Sequence, residues 1–417
     1  MRVLKWLYPG MRIKRWILLC ALGIFFVVSG TIEAFGEFGR HYSLIPGLLV
    51  LVIGIILLIL GIKKMVKSLI TIFMPIHKEK ELVDIVYRKR QLSRGPKIVV
   101  IGGGTGLSVL LQGLKAYTSN LTAIVTVSDD GGSSGRLRQQ FNMLPPGDIR
   151  NCLVALADAE PLMRDLFQFR FGEGTELAGH NFGNLFITAM TKLVGDFDKA
   201  IKESSKVLAI RGQVIPSTLK RVVLIAEHKD GTKTIGETKI SKSTSPISKV
   251  FLKPDNCMPT DDALEAILNA EAIIIGPGSL YTSILPNLVI KNIPEAIEKS
   301  AAVKIFVCNV MTQSGETDGY SAYEHIQAIQ KHTKCKIVDY FIINTGVIPE
   351  DFLEKYHREH AYPVKVDVKK IREAGISVIA DNLINAQDYV RHNSNKISEI
   401  IIDLLLELKF KGADTNT

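Results

Sequence analysis

The sequence contains few cysteines, and no two of them lie close together. The five are Cys20, Cys152, Cys257, Cys308 and Cys335. Their number is odd and none belongs to a Cys-x-x-Cys pair, which argues against a disulfide framework and against a zinc site of that type. We therefore expect buried free thiols in a reducing cytosol.

The sequence also lacks an excess of charge of one sign over most of its 417 residues. The net charge is +9, but residues 1–95 carry fifteen Lys and Arg against five Asp and Glu. The remaining residues carry 36 Lys and Arg against 37 Asp and Glu. A nucleic-acid binder needs a basic surface on its folded domain, so we expect no nucleic-acid partner.

Two signature motifs of well-known enzyme classes are missing. The chain contains neither Gly-x-x-x-x-Gly-Lys-Ser/Thr nor His-Glu-x-x-His. Without them, a P-loop nucleotide hydrolase and a zinc protease are both unsupported.

Long apolar runs are present only near the N-terminus. They cover residues 16–32 and 44–62, and each approaches the roughly 20 residues that a helix needs to cross a bilayer. Basic residues precede the first run and follow the second, which predicts a transmembrane hairpin with both ends in the cytoplasm. A cleaved signal peptide is the alternative for the first run, but the second run would still hold the chain.

The composition changes along the chain and predicts four segments. A basic juxtamembrane linker follows the hairpin, and Arg94-Gly95-Pro96 marks the start of the main domain. The expected boundaries are 1–70 for the transmembrane hairpin, 71–95 for the linker, 96–410 for a nucleotide-sugar-binding domain and 411–417 for a polar tail.

Short apolar runs alternate with helical patterns in the main domain. The predicted strands cover 97–101, 121–127, 271–276, 303–310 and 336–344. This alternation is typical of an α/β fold, a doubly wound, Rossmann-like, mostly parallel sheet. An Asp-Gly turn between strand-like runs near residue 230 predicts an inserted β-hairpin. In such sheets, ligands bind beyond the carboxyl ends of the strands.

The first predicted strand leads into a glycine-rich loop. It contains Gly102, Gly103, Gly104, Thr105 and Gly106. Glycines allow a phosphate to approach backbone N–H groups at the start of the next helix. A nicotinamide dinucleotide is disfavoured, because Leu107 occupies the third glycine position of its fingerprint.

The second predicted strand leads into acidic and hydroxyl residues. Asp129 and Asp130 could contact a ribose or hold Mg²⁺ together with a substrate phosphate. Ser133, Ser134 and Arg136 could bind that phosphate. A polar loop without a ligand is the alternative.

Further polar residues follow later strands or begin helices. They are candidates for the walls of the same site: Asp148, Asn151, His180, Asn184, Gly276, Gly278 and Ser279. Each could instead serve only as a helix cap or a backbone hydrogen-bonding partner.

Together these motifs resemble the YvcK family of gluconeogenesis factors, a branch of the CofD-like superfamily. The resemblance covers roughly residues 97–400 and includes GGGTGLSVLLQGLK, TVSDDGGSSGRLR, PPGDIRNCLVALAD, GHNFGNL and IGPGSLYTSILPNL. It implies binding of UDP-N-acetylglucosamine or a related nucleotide sugar, with Tyr356 and Arg391 as ligand contacts. Compact relatives begin close to the first strand, so the N-terminal hairpin departs from their pattern.

The resemblance implies a bacterial regulator. The apolar hairpin and its flanking cations predict that it is tethered to the inner membrane, with its N-terminus and main domain cytoplasmic. The expected role links gluconeogenic carbon metabolism to cell-envelope synthesis and cell shape, through an enzyme partner in aminosugar or wall-precursor synthesis. A homo-oligomer is also expected. The alternative is a CofD-type transferase that moves a phospholactate group from a nucleotide diester, with Mg²⁺ held at Asp129 and Asp130.

Overall fold

The computed structural model describes residues 14–35, 44–73, 82–386 and 390–414. Within it the chain divides into two compact units, residues 1–90 and residues 91–417. The expected linker, 71–95, contains the end of one helix and the whole of another, and its residues 74–81 lie outside the described part.

The first unit is built on two long apolar helices. They are α1 (Lys14–Phe35) and α2 (Ile45–Phe73), and α3 (Leu82–Ser93) follows them. Both α1 and the Ile45–Ser68 part of α2 are long and apolar enough to cross a membrane. Their outward surfaces are apolar, with Leu18, Phe25 and Ile59 more than half exposed.

Glycines bring α1 and α2 together. They recur every seventh residue, at Gly23 and Gly30 in α1 and at Gly47, Gly54 and Gly61 in α2. A Cβ added at Gly30 would lie 2.4 Å from the backbone nitrogen of Leu51. Such close backbone approach is the packing that small residues permit between apolar helices.

The second unit is built around a seven-stranded parallel sheet. Its strands are β1 (Ile98–Gly102), β2 (Leu121–Val125), β3 (Gln213–Pro216), β7 (Ala272–Ile275), β8 (Val303–Val307), β9 (Tyr340–Asn344) and β10 (Ser377–Asp381). Their order across the sheet is β10-β9-β8-β7-β1-β2-β3. The first strand, β1, is fully buried, as apolar parallel strands covered on both faces are. The predicted Rossmann-like fold is confirmed.

Helices cover the sheet. Between β1 and β3 the helices are α4 (Gly104–Leu114), α5 (Gly132–Phe141), α6 (Gly147–Leu156), α7 (Pro161–Gln168), α8 (Phe182–Val194) and α9 (Phe197–Val207). From residue 261 onwards they are α11 (Asp261–Leu268), α12 (Leu285–Leu288), α13 (Ile293–Lys299), α14 (Ala322–Thr333), α15 (Glu350–Arg358), α16 (Val368–Glu373) and α17 (Ser394–Asp414). A π-helical turn, Leu280–Ile284, precedes α12.

The predicted β-hairpin is part of a separate sheet. Its strands, β4 (Val223–His228) and β5 (Lys233–Ile235), join β6 (Ile247–Lys253) in the antiparallel order β5-β4-β6. The residues after β5 form a short helix, α10 (Glu237–Ile240).

The C-terminal part of the chain returns to the first helix of the sheet. Strands β11 (Ile384–Ala386) and β12 (Val390–His392) form a two-stranded ribbon before α17. A Cβ at Gly113 would lie 2.4 Å from Ser398 Oγ, so α17 packs directly on α4. Helix α17 continues through Asp414, into the segment expected to be a polar tail.

Candidate functional site

A cavity lies where the strand order of the sheet reverses. β1 pairs with β2 on one side and with β7 on the other. From β1 the chain adds β2 and β3 in one direction across the sheet, and from β7 it adds β8, β9 and β10 in the opposite direction. This topological switch point is the usual ligand site of a doubly wound sheet. The cavity has a volume of about 430 Å³ and is lined by 103–106, 277–279 and 309–311, among others. We call it the switch-point cavity.

The loop after β1 presents the start of α4 to this cavity. Gly103 is the N-cap residue and contributes no side-chain cap. The Gly104 N–H bonds to Asp148, and the next N–H groups of the first turn of α4 face the direction in which helices bind anions. Gly104 has φ +64°, a conformation that favours glycine. A Cβ at Gly106 would lie 2.5 Å from the Pro277 carbonyl oxygen. The absence of a side chain at Gly106 therefore allows the start of α4 to contact the loop after β7.

The loop after β7 is held by the loop after β8. The Gly278 N–H donates to Asn309 Oδ1 at 3.1 Å, and Asn309 Nδ2 donates to the Gly278 carbonyl at 2.9 Å. Ser279 Oγ lies 2.5 Å from Gln313 Oε1. These contacts fix Gly278 and Ser279 against the cavity, and both line it.

A buried carboxylate, Glu316, accepts hydrogen bonds from residues that follow β7 and β8. Glu316 accepts hydrogen bonds from Thr282 Oγ1 at 2.8 Å, from Gln313 Nε2 at 3.0 Å and from the Tyr281 N–H at 3.1 Å. Burial raises its pKa. Glu316 therefore orients Gln313, one of the residues that line the cavity.

Two further carboxylates lie beside the glycine loop. Asp148 is partly buried, and desolvation together with the charge of Asp129 raises its pKa to about 7. A Cβ at Gly103 would lie 2.7 Å from Asp148 Oδ2. Asp129 lies next to the start of α6, since a Cβ at Gly147 would be 3.0 Å from its Oδ2. Burial also raises the pKa of Asp129.

This donor set fits a magnesium ion that also contacts a phosphate. Mg²⁺ is commonly held by one or two carboxylates together with phosphate oxygens and water. Asp129 and Asp148 would supply these carboxylates. No cluster of three or more His, Cys, Asp or Glu side chains with metal-binding geometry occurs among the described residues.

Asp130, the other residue expected to hold the metal, has different partners. Its Oδ1 accepts hydrogen bonds from the Thr238 N–H at 2.9 Å and from Thr238 Oγ1 at 2.7 Å. These bonds connect the loop after β2 to α10, at the edge of the small sheet.

The serines of the acidic loop contact the start of α8. Ser133 Oγ and His180 Nδ1 are 3.1 Å apart, and Asn184 Nδ2 donates to Ser134 Oγ at 3.5 Å.

Residues 131–135 match the pattern Gly-x-Ser-x-Gly, but Ser133 does not follow β2 directly as a hydrolase nucleophile would. It lies inside α5 and is buried. Arg136 donates to the Ala178 carbonyl at 2.8 Å.

The far wall of the cavity comes from the C-terminal part of the chain. Tyr356, on α15, lines the cavity and packs against a small apolar cluster that contains Val310 and Ile348. Arg391 belongs to β12, but its side chain lies outside the described residues. The next residue, His392, lines the cavity, and burial lowers its pKa to about 4. Its imidazole is therefore neutral at pH 7.

The structure thus gathers only part of the predicted site into one cavity. The predicted residues that line it are Gly103, Gly104, Thr105, Gly106, Gly278, Ser279 and Tyr356. Gly102 is the last residue of β1 and Gly276 directly follows β7; neither lines the cavity. Asn151 lines a neighbouring cavity with Thr105. His392 and Gln313 were not predicted as ligand residues.

The comparisons with known proteins identify close relatives. Residues 98–384 match the family of the 2-phospho-L-lactate transferase CofD. The chain is 51% identical over 307 residues to the gluconeogenesis factor of Halalkalibacterium halodurans, covering 73% of this chain and 95% of the relative. For the gluconeogenesis factor of Bacillus subtilis the identity is 48% over 317 residues, covering 76% and 100%. A crystal structure of a Bacillus halodurans protein has 50% identity and a TM-score of 0.73, covering 74% and 100%.

A Clostridium acetobutylicum relative, also named as a gluconeogenesis factor, matches a longer part of the chain. It is 42% identical over 421 residues, covering 98% of this chain and 93% of the relative. The apolar N-terminal unit is therefore largely included in this alignment, whereas the shorter relatives match about three quarters of the chain.

Proposed function

Because the chain belongs to the CofD family, and within it to the gluconeogenesis factors, we propose that it binds UDP-N-acetylglucosamine in the switch-point cavity. Bound ligand would alter its contact with an enzyme of aminosugar or wall-precursor synthesis. Through that contact the protein would link gluconeogenic carbon metabolism to cell-envelope synthesis and cell shape.

The observation that carries this proposal is the uncapped start of α4 at the switch point. The N-cap residue Gly103 offers no side-chain acceptor to this turn; the Gly104 N–H bonds to Asp148, and the following N–H groups begin a helix whose positive end favours an anion. The described lining of the cavity contains no Lys, Arg, Asp or Glu. A diphosphate would thus be bound by backbone groups, as glycine loops bind it.

The opposite wall supports the nucleoside end of the ligand. Tyr356 offers an aromatic face for a uracil ring. His392, neutral at pH 7, can donate one hydrogen bond and accept another. Arg391 remains a candidate for the diphosphate, as the family resemblance implies.

The first test measures binding of UDP-N-acetylglucosamine to the detergent-solubilised full chain by titration calorimetry. Stacking on an aromatic side chain contributes about 1–3 kcal/mol per base, so Tyr356→Ala should weaken binding about ten- to a hundredfold. Tyr117→Ala is the matched control, because Tyr117 is exposed and lies beyond the far end of α4. No binding by the unmodified chain, or tighter binding of NAD, would contradict the assignment.

A CofD-type transferase is the second candidate function, and the two carboxylates beside the glycine loop favour it. Asp148 and Asp129 have raised pKa values beside the glycine loop, where a metal would neutralise phosphate charge. The test incubates the full chain with a phospholactyl nucleotide and a deazaflavin acceptor, with and without Mg²⁺. Product that depends on Mg²⁺ and is lost in Asp148→Asn would support catalysis. If the phospholactyl nucleotide binds but no product forms, the transferase function is contradicted and a binding function is supported.

We also propose that α1 and α2 cross the inner membrane as a hairpin, with the N-terminus and the second unit in the cytoplasm. The support is their length and apolar surface and the basic residues on their flanks. Alkaline carbonate extraction of cell membranes should leave the chain in the pellet. Protease added to intact spheroplasts should spare the second unit, and cleavage there would contradict this orientation.

A homo-oligomer remains part of the proposal and can be tested by light scattering.

A further inference from the structure

A second cavity lies beside the switch-point cavity. It is contributed by α4, α6, α7 and the segment that follows α7, and its volume is about 560 Å³. We call it the arginine cavity and define it by Arg150, Arg164 and Arg170, together with Thr105, Asn151 and Asn181. Thr105 lines both cavities, so they meet at the first turn of α4.

The three guanidinium groups have more hydrogen-bond donors than the described protein uses. Arg150 donates to Asn151 Oδ1 at 2.5 Å, and Arg170 donates to the Gly179 carbonyl at 2.7 Å. The Nε groups of Arg150 and Arg164 are buried without an acceptor in the described part of the chain. A buried donor left unpaired costs free energy, which favours an acceptor supplied from outside.

The charges in the arginine cavity are also only partly balanced. Among the residues that the structure describes, Asp165 is the one carboxylate that lines this cavity against three arginines, which leaves a charge of +2 on the lining. Burial and the neighbouring charge of Arg170 lower the pKa of Arg150, although Asp148 and Asp129 act in the opposite direction. Like charges that line one cavity are stabilised by a bound anion.

We propose that the arginine cavity binds a small phosphomonoester at the same time as the switch-point cavity holds its own ligand. A phosphomonoester carries a charge near −2 at pH 7 and offers three acceptor oxygens. Guanidinium groups bind such oxygens in paired, charge-assisted hydrogen bonds. Its charge matches the +2 of the lining, and the amides of Asn151 and Asn181 would suit the hydroxyl groups of a sugar or polyol.

The test titrates the full chain with inorganic phosphate and with glucose 6-phosphate, using glucose and citrate for comparison. Glucose 6-phosphate should bind and glucose should not. Arg164→Gln and Arg170→Gln should each weaken its binding at least about tenfold, as expected for a lost charge-assisted bond. Arg358→Gln, on the exposed surface of α15, should leave it unchanged. Arg170 is exposed, so its variant tests binding even if Arg164→Gln fails to fold.

A second arm separates this site from the switch-point cavity. Saturating UDP-N-acetylglucosamine should leave the affinity for glucose 6-phosphate within about threefold, and Arg170→Gln should not affect binding of the nucleotide sugar. Competition between the two ligands, no binding of either phosphate, or tighter binding of citrate would overturn the inference. Because the phosphate titrations need no nucleotide, failure of UDP-N-acetylglucosamine to bind would refute only the proposed function.

Discussion

The two units of the molecule use glycine against different neighbours. In the hairpin, a Cβ at Gly23, Gly47 or Gly54 would lie 2.5–2.7 Å from a backbone nitrogen of the facing helix. In the switch-point cavity, a Cβ at Gly104 would find no atom closer than Ser283 Oγ at 3.8 Å, and one at Gly278 none closer than 3.5 Å. A side chain at the hairpin glycines would collide with the facing backbone, whereas an added Cβ at Gly104 or Gly278 would make only ordinary van der Waals contacts in the cavity wall.

The difference shows how the role of a glycine can be inferred from its spacing. The hairpin glycines recur every seventh residue along one helix face, as a packed seam requires. The glycines of the cavity cluster between a strand and a helix, where a ligand needs access to backbone groups. Gly106 belongs to the second group by sequence but meets Pro277 like a packing glycine.

The largest effect is expected for Gly106→Val. The new side chain would collide with the backbone of Pro277, 2.5 Å from its carbonyl oxygen, and separate the two loops. Overpacking of this kind typically costs about 1–3 kcal/mol, so we expect a loss near the upper end and no detectable binding of nucleotide sugar. Chemical denaturation and calorimetry measure the two effects. Gly172→Ala is the control, since nothing lies within 4 Å of the added Cβ.

A smaller and separate effect is expected for Gly30→Val. Its Cβ would lie 2.4 Å from the Leu51 nitrogen, so α1 and α2 would have to move apart, at a cost of about 2 kcal/mol. Thermal unfolding in detergent, followed by protease sensitivity of the hairpin, should show the loss, while nucleotide-sugar affinity stays unchanged. Ala21→Val, on the exposed side of α1, should behave like the unmodified chain. A matching loss of ligand affinity would contradict the separation of roles.

The inner strands of the main sheet could be predicted because they are short, buried and apolar. β1, β2, β7, β8 and β9 all begin within predicted runs. The edge strands β3 and β10 were missed, since an edge strand is covered on fewer sides and its pattern is weaker; β10 has no fully buried residue.

Other features depend on partners that are distant in sequence. The segment after β5 forms α10, whose first turn donates to Asp130, more than a hundred residues earlier in the chain. His392 and Gln313 reach the cavity only through the packing of the C-terminal ribbon and the loop after β8. By contrast, the glycine loop after β1 is a local feature and was recognisable from the sequence.

Gly113→Ala tests whether glycine packing also operates in the second unit. Its Cβ would lie 2.4 Å from Ser398 Oγ and 2.5 Å from the Ser394 carbonyl oxygen, between α4 and α17. We expect a loss of about 1–2 kcal/mol in the free energy of unfolding with ligand affinity changed less than about twofold. The same added methyl group at Gly172 again serves as the control. A stable Gly113→Ala chain would mean that α17 can move away from α4 without cost.

The smallest effect at pH 7 is expected from the titration of His392, which grows as the pH falls. Burial lowers the pKa of His392 to about 4 in the folded chain, while the unfolded value is near 6.5. Between these values the unfolded chain binds more protons, so stability should rise with pH across this window and level off above about 6.5. His392→Phe should reduce that slope when unfolding is followed from pH 4.5 to 7.5, and His360→Phe, at an exposed position, should not. His392 also lines the cavity but contributes no charge at pH 7. We therefore expect His392→Phe to reduce the affinity for the nucleotide sugar far less than Gly106→Val does. An equal loss would place a side chain, and not the backbone of the glycine loop, at the centre of ligand binding.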